Sequence, residues 1–494
     1  MESGQLLRRP APSAGSEPSV RGGWRAAFYL VVVAFLERLG FYGVQGNLIM
    51  YLTGPLGMPT AAAAAGVNAW AGTVQVLPLV GALAADTRLG RYRAVLAAGV
   101  LYLLSLGMLT ASSALQAALP HSASSPPSTS PAHLTFIYVA LYLLALAQGF
   151  HRPCAEALGA DQFALRDGGD PGSPAASRSS YFNWFHFSIS WGYATSTTVL
   201  SYVEDNAGWT AGFGACWAMM VLSLAVFVLR NSSTPADSSR PREHGPRGSS
   251  AARLLDRQPE EVKGVIVKLL PIGVVYTLFT KQGSTLDRRL VTGLVVPPAA
   301  LQCLISFTFI TMLPVYDRAF VPWRGASPGT TPASPRSSGS ALAWPCPAPP
   351  WPSRRSSKAG GSRGHGRGPG GPAGRGRADE TVVGGASYVL MGLAMALADV
   401  GLEEFFYDQV PDAVRSVGLA LCLSAMGAGS YASGMLVSAV DWATRGSGES
   451  WISDNLNRAH LDYFYWLVAG LAALDVAIFL YFSKRFVYRN KGEL

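Results

Sequence analysis

The stretch VVVAFLERLGFYGV (31–44) lies within an apolar run, 27–52, that is long enough to cross a lipid bilayer. Glu37 and Arg38 stand side by side near the middle of that run. A charge at that depth costs about 2.5–3.5 kcal/mol on insertion scales. The sequence therefore predicts that both side chains face a watery cavity and each other, and not the lipid.

The composition indicates a membrane protein with many spans. Of the 494 residues, 49% are hydrophobic and only 14% are charged, whereas soluble domains carry about 25% charged residues. The five cysteines show no paired spacing, so neither a disulfide framework nor a metal site is predicted. Most basic residues lie between the apolar runs, where membrane topology explains the net charge of +9 better than nucleic-acid binding does.

The first half of the chain contains six predicted spans whose connections alternate in charge. Basic connections alternate with connections that lack Lys and Arg, which places the N-terminus in the cytosol. The acidic residues Glu204 and Asp205 are assigned to an outer loop at 203–208. Six spans followed by a basic linker are typical of half a pseudo-symmetric transporter. The predicted spans are 27–52, 61–85, 94–113, 134–157, 181–202 and 209–229.

The second half is less regular and gives only five predicted spans. The first of them is weak, since Lys268 interrupts it and only about 12 residues are free of charge. Eleven spans would place the basic C-terminal tail outside the cytosol, against the charge pattern of the first half. One span is therefore expected to be lost. The five runs are 262–280, 292–313, 385–406, 413–440 and 463–483.

Residues 321–378 have a composition that no membrane span can have. Pro, Gly, Ser and Arg dominate, and the segment holds nine Lys or Arg and no acid, equal to the whole net charge. Such a composition predicts disorder. Either a frame shift or wrong exon boundary replaces the lost span here, or the segment is a genuine cytosolic insertion.

The predicted organisation has six parts: a cytosolic tail, a six-helix bundle, a cytosolic linker, the start of a second bundle, the atypical segment, and the rest of the second bundle. Their bounds are 1–26, 27–230, 231–260, 261–320, 321–384 and 385–494.

The segment GALAADTRLGRYR (81–93) joins the second and third spans. It resembles the loop of the major facilitator superfamily, in which small residues allow close packing. By that resemblance Asp86 pairs with an arginine of a neighbouring helix, Gly90 makes the turn and Arg91 follows it. Such a loop can latch one state of a rocking transporter, although a plain positively charged cytosolic loop is the alternative.

Glu37 and Arg38 also resemble the last two residues of the Glu-x-x-Glu-Arg motif of proton-coupled oligopeptide transporters, with Ala34 at the first acidic position. Protonation of Glu37 would release Arg38 and so couple a proton to a conformational change or a substrate anion. Glu37 is then the only acid on this helix that can do so. A purely structural ion pair is the alternative.

Further stretches resemble the plant nitrate/peptide branch of that family, in order and in the matching topological places. The resemblance implies an all-α, polytopic major facilitator fold of two six-helix bundles, of which about eleven spans are recognisable here. The matching stretches include RPCAEALGADQF (152–163), YFNWFHFSISWG (181–192), TLFTKQGSTLDRR (277–289) and VGLEEFFYDQVPDAVRSVGLAL (400–421).

The resemblance also implies a substrate pocket. Arg152 stands where the family usually has a cavity-facing lysine, and Asp399 is the expected carboxylate partner because Met395 occupies the family's acidic position. Tyr42 matches an aromatic hydroxyl that lines the pocket. A capping or lipid-anchoring role for Asp399 and a packing role for Tyr42 are the alternatives. The chain has no His in 262–280, so nitrate recognition by a His of that span is not supported.

The predicted function is therefore proton-coupled symport of a small anionic or carboxylate-bearing solute, such as nitrate or a short peptide, by alternating access. The expected partners are that solute, protons and the lipid bilayer, without nucleic acid. No cofactor, metal or enzymatic activity is predicted, because no catalytic grouping or metal-ligand spacing is present in context. The alternative is a transporter-like sensor or a non-transporting product, favoured by the lost span.

Two membranes are possible destinations. The N-terminal Glu2, Leu6 and Leu7 fit an acidic dileucine pattern that resembles vacuolar sorting signals of plants. Plasma membrane and vacuolar membrane both stay open.

Overall fold

The computed structural model describes residues 24–118, 130–164, 174–232, 297–315, 386, 388–396, 415–447, 450–454 and 460–483. All regular structure in these ranges is helical. The predicted span 262–280, most of the linker 231–260, the segment 321–384 and Asp399 lie outside them, so the predictions made there are unchanged.

The first half forms a bundle of long helices that overlap the six predicted spans. Five of the helices in the described ranges, α1 to α4 and α7, are long and apolar enough to cross a bilayer. The bounds are α1 Trp24–Thr53, α2 Thr60–Ala84, α3 Arg91–Ala118, α4 Pro131–Ala164, α5 Pro174–Thr195, α6 Ser201–Ala207 and α7 Trp209–Ser232. A π-helical turn, Ser196–Leu200, joins α5 to α6, so that the two form one continuous span.

Four helices are described in the second half: α8 Cys303–Val315, α9 388–396, α10 Arg415–Thr444 and α11 Leu461–Ser483. A 3₁₀ turn, Pro298–Gln302, leads into α8. These helices overlap four of the five predicted runs.

The expectation of an outer loop at 203–208 is wrong. Residues 201–207 continue the fifth span as α6, and the chain turns only at Gly208, whose φ is +92°. Only glycine adopts such an angle at no steric cost. Glu204 is therefore a buried helical residue, 2% exposed, and not a loop residue.

Close helix packing organises the bundle. Helix α1 lies against α5 and α7, while α3 and α4 pack together and α4 also contacts α2. Trp70, Tyr51 and Tyr102 are completely buried in this core, whereas Leu229 and Trp217 are exposed on the outer surface of α7. Apolar side chains that face outward are expected in lipid, where association depends on packing and hydrogen bonds between helices.

The two halves meet along α2 and α10. A methyl group on Gly72 would lie 2.9 Å from the carbonyl oxygen of Gly427, and one on Gly427 would lie 2.8 Å from that of Gly72. Neither clash is tolerable, so both glycines are required for this approach of the two backbones. Thr73 and Tyr431 join their hydroxyls across the same contact at 2.6 Å.

A second contact between the halves lies at the start of α2. The Asp454 carboxylate accepts a hydrogen bond of 2.6 Å from the backbone N–H of Thr60. An acceptor at this position satisfies one of the N–H groups that the first turn of a helix leaves free. The loop that precedes α11 therefore caps α2. From the charges of the connections, this end of the bundle is the outer one.

Candidate functional site

The buried ion pair at the middle of α1 is the centre of the candidate site. Glu37 and Arg38 are 1% and 3% exposed, and Arg38 Nε lies 3.3 Å from Glu37 Oε2. Neighbouring residues on a helix point about 100° apart, so the contact depends on the long arginine side chain folding back. The structure thus places both charges inside the protein, facing each other.

Tyr102 of α3 and Gln148 of α4 complete the surroundings of the pair. The Tyr102 hydroxyl donates to Glu37 Oε1. We orient the Gln148 amide with its oxygen toward Arg38, since it then accepts from Nη1 at 2.5 Å and Nη2 at 3.1 Å. Its NH₂ group in turn donates to Glu37 Oε1 at 2.7 Å and to the Tyr102 hydroxyl. One amide therefore bridges the acid and the base.

His151 of α4 adds a second group that can carry a proton. Its Nδ1 lies 3.9 Å from Glu37 Oε2, and its ring meets the Tyr102 ring edge-on, with centroids 5.9 Å apart. Only 4% of His151 is exposed. A carboxyl, an imidazole and a phenol thus surround one guanidinium. These five residues are called the Glu37 network: Glu37, Arg38, Tyr102, Gln148 and His151.

An aromatic and amide chain leads from the Glu37 network to the second half. The Arg38 Cζ lies 5.8 Å from the centre of the Tyr42 ring, within cation–π range. The Tyr42 ring meets that of Tyr193 edge-on at 4.5 Å. The Tyr193 hydroxyl donates to Gln302 Oε1 at 2.7 Å, and Gln302 Nε2 donates to the Gly46 carbonyl at 3.0 Å. Arg38 therefore lies near the junction of the two halves.

Gly192 of α5 sets the position of Arg38. A methyl group there would lie 2.8 Å from Arg38 Cβ and 3.1 Å from the carbonyl oxygen of Phe35. The glycine lets α5 approach the backbone of α1 directly. As a result the Arg38 side chain has no room to move toward α5.

Ala34 replaces the family's first acidic residue and lies in an apolar setting. It is 2% exposed and packs in a cluster with Tyr181 and Phe185 of α5. The cluster is apolar apart from the Tyr181 hydroxyl, and it offers no cation to an acid at this position. This packing fits the single acid that the sequence retains on α1.

The other predicted site residues are placed only in part. Arg152 is half-buried on α4, directly after His151, and no ion pair of it is seen among the described residues. Gly90 makes the predicted turn, with φ of +75°, and Arg91 begins α3. The backbone of Asp86 lies in a π-helical turn, but its side chain, like all of Asp399, is outside the described part.

Sequence reasoning missed Tyr102, Gln148 and His151 as members of the site. Each is a polar residue within an apolar run, and Gln148 and His151 lie three apart on α4, hence on one face. That spacing is the one signal that was available. A further acid, Glu156 of α4, is half-buried and interacts electrostatically with Arg38.

Comparisons with known proteins identify the family. Residues 92–239 match the family model described as "POT family". Protein NRT1/ PTR FAMILY 5.15 of Arabidopsis thaliana is 37% identical, over 96% of this chain and 95% of its own. The chain belongs to the POT family. Protein NRT1/ PTR FAMILY 5.10 of the same plant is 36% identical, over 99% of this chain and 98% of its own.

The POT family resemblance inferred from the sequence is thus confirmed, and with it the major facilitator fold. An auto-inhibited POT family peptide transporter of known structure superposes with a TM-score of 0.66 at 16% identity, covering 95% of this chain and 99% of its own. The chain is an integral membrane transporter and not an enzyme.

The length of the alignments bears on the missing span. The alignment to the first of these plant relatives extends over 555 positions, against 494 residues in this chain. At least 61 positions of it therefore hold no residue of this POT family member. In total this number of positions would hold one membrane span and its connections, so the prediction of a lost span stays a prediction.

Proposed function

We propose that this transporter carries a small anionic or carboxylate-bearing solute together with protons by alternating access. The observation that carries the proposal is the Glu37 network, in which a buried acid neutralises a buried arginine next to the junction of the two halves. Nitrate, a short peptide and a related metabolite all meet this description.

Proton binding at Glu37 is coupled to solute binding at Arg38 through the balance of charge. With Glu37 ionised, its carboxylate and the Gln148 oxygen both engage Arg38. When Glu37 takes a proton, Arg38 keeps its charge but loses its counter-ion, and a buried charge without a partner is strongly destabilising. An anionic solute then restores neutrality. Proton and anion therefore stabilise one another's binding, and by linkage the effect is mutual.

The proposed roles of the remaining residues follow from their places. Tyr42, which lies against Arg38, contacts the solute, and Arg152, on the same helix as Gln148, attracts its negative charge. Asp399 is the proposed partner of Arg152 from the second half. Asp86, Gly90 and Arg91 form the proposed cytosolic latch, which closes or releases as the halves rock.

The proposed location is the plasma membrane or the vacuolar membrane. In either case the acidic compartment faces the outer end of the bundle, where Asp454 contacts Thr60. The proton gradient therefore drives the solute toward the cytosol. The two locations predict the same coupling and differ only in which compartment supplies the solute.

Proton uptake into liposomes that contain the purified chain tests the function. Nitrate, dialanine and acetate are supplied in turn with an inward proton gradient, and an internal pH dye reports proton entry. The signal of protein-free liposomes, which acetic acid enters unaided, is subtracted. At least one solute is expected to evoke proton entry in the wild type, and Glu37→Gln is expected to abolish it, because the amide cannot exchange a proton.

The matched control is Asp205→Asn, which removes an exposed acid from the same bundle and is expected to transport normally. Solute-evoked proton entry that survives Glu37→Gln would overturn the coupling role. Silence of the wild type with all three solutes would count against symport of this class of solute.

A further inference from the structure

A second buried carboxyl lies outside the Glu37 network. Glu204 of α6 is 2% exposed, and its Oε2 accepts a hydrogen bond of 2.9 Å from Asn47 Nδ2 of α1. Asn47 is completely buried. Ten residues separate it from Glu37, which is about 15 Å along the helix axis, so the two acids occupy different levels of the bundle.

Two oxygen atoms of this pair have no hydrogen-bond partner among the described residues. They are Glu204 Oε1 and Asn47 Oδ1, one on each group. Both atoms are acceptors, so they cannot bond to each other while the carboxyl is ionised. A carboxylic acid carries one additional O–H donor, and the unpartnered Asn47 Oδ1 is an acceptor of the kind that this donor needs. A protonated acid and an amide then share two hydrogen bonds.

The charges near Glu204 also favour the neutral form. Among the residues that the structure describes, the groups that interact electrostatically with it are Asp205, next in the chain and exposed, and the buried Cys216 thiol of α7. Neither is a cation. The 3₁₀ turn Pro298–Gln302, which α6 also contacts, contains no ionisable side chain. A buried carboxylate without a cation is costly, unlike Glu37, which has Arg38.

Glu204 has no free space in which to turn away. A methyl group on Gly212 of α7 would lie 2.1 Å from Glu204 Cγ, so the α7 backbone presses directly on the side chain. Ionisation therefore requires water to enter between α6 and its neighbours. Because α6 contacts the 3₁₀ turn that begins the described second half, such an opening separates the two halves at their outer end.

We propose that Glu204 and Asn47 form a second proton-binding site, which closes the outer end of the transporter when Glu204 is protonated. A proton from the outer solution binds to Glu204 Oε1, the carboxylate becomes a neutral acid, and α1, α6 and the 3₁₀ turn pack together. Loss of that proton opens the outer end. The inference rests on the proposed proton coupling but concerns a different residue and a different step.

Hydrogen–deuterium exchange of the full-length chain in lipid nanodiscs tests the site without any solute. Exchange is here the rate of the peptide that contains 201–207 divided by the intrinsic rate of the same amides at the same pH, because the intrinsic rate itself rises with pH. In the wild type this corrected exchange is expected to rise with pH. The closed-to-open ratio changes by up to about tenfold per pH unit, as for the loss of one proton. Glu204→Gln keeps the two hydrogen bonds at every pH, so slow exchange is expected throughout.

Two further variants keep the test decisive. Asp205→Asn removes the neighbouring negative charge, so it is expected to move the pH dependence to lower pH without abolishing it. Asn47→Ala removes the partner of the neutral acid and is expected to give rapid exchange even in acid. Flat exchange in the wild type, or an unchanged pH dependence in Glu204→Gln, would overturn the proposal.

The outcome is separable from that of the proposed function. Glu37→Gln is expected to abolish solute-evoked proton entry while the pH dependence of exchange at 201–207 stays. Proton entry abolished by Glu37→Gln together with flat exchange would reject the second site alone.

Discussion

The two buried acids of the first bundle are stabilised in different ways. Glu37 lies at the level of the candidate site with a guanidinium, a phenol, an amide and an imidazole around it. Glu204 lies near the outer end with one amide. The first environment supports a carboxylate and the second a carboxylic acid. Burial alone therefore does not determine what a membrane acid does, since the partners decide which form is held.

In the two proposals made above, the acids act at different steps. At Glu37 the loss of charge frees a cation and so creates a binding site for an anion. At Glu204 the gain of charge breaks a packed contact and so opens a path for water. The first event concerns solute affinity, and the second concerns which face of the transporter is open.

The largest expected effect comes from removing the cation that distinguishes the two sites. Arg38→Gln leaves Glu37 buried without a counter-ion, and breaking such a pair costs about 3–5 kcal/mol. Thermal unfolding of the purified variant in detergent should show a large loss of stability, together with loss of solute-evoked proton entry.

Arg445→Gln is the control, because the Arg445 side chain is 64% exposed, whereas that of its partner Asp441 is 9% exposed. Asp441 keeps the hydrogen bond of 2.7 Å from Ser450 when Arg445 is replaced, so a smaller loss of stability is expected than for Arg38→Gln. Equal losses of stability in the two variants would show that Arg38 does not compensate a buried charge.

An intermediate effect is expected from Gly192→Ala, which crowds Arg38 but leaves Glu204 untouched. The added methyl group meets Arg38 Cβ and the Phe35 carbonyl oxygen, and overpacking of this kind costs about 1–3 kcal/mol. Solute-evoked proton entry should fall, while the pH dependence of exchange at 201–207 should not change.

Gly470→Ala is the matched control, because nothing lies within 4 Å of the methyl group that it would add on α11. It is expected to behave as the wild type. A loss of proton entry as large in Gly470→Ala as in Gly192→Ala would disprove the specific role of the α1–α5 contact.

The smallest effect is expected at the outer end, from Asp454→Ala. This change removes the acceptor for the backbone N–H of Thr60, and loss of a helix cap costs about 0.5–2 kcal/mol. The outer end should open more readily, so exchange at 201–207 should be faster than in the wild type at every pH. Its pH dependence should persist, because Glu204 is intact. If the pH dependence disappeared with Asp454, the switch would lie in the cap and not at Glu204.

The sequence predicted the helices well because span length and apolar character are properties of the local chain. The same local character also predicted the buried Glu37–Arg38 pair, since two adjacent charges in an apolar span are stable in few other arrangements. Local sequence patterns could not predict the other members of the Glu37 network. Tyr102 and His151 come from two other helices, and only the packing of α1, α3 and α4 brings them to Glu37.

The error at 203–208 has a physical reason. Two adjacent acids at the end of an apolar run are typical of a loop, and Asp205 is indeed exposed. One residue earlier, Glu204 points inward, because the helix continues to Ala207 and turns only at Gly208. The Glu204 side chain is held inside the bundle by its hydrogen bond to Asn47 of α1. No local sequence pattern predicts that these two distant residues meet.

The contact of Gly72 with Gly427 has a mechanical consequence. Main chain lies on main chain there, with the Tyr431 ring and the Val76 side chain packed beside it, so the Thr73–Tyr431 hydrogen bond must break when the surfaces part. The rest of the contact consists of weak van der Waals interactions, so the free energy of separation is spread over many small terms. Such a contact lets the two halves separate and return to the same packing in each cycle of the proposed rocking motion.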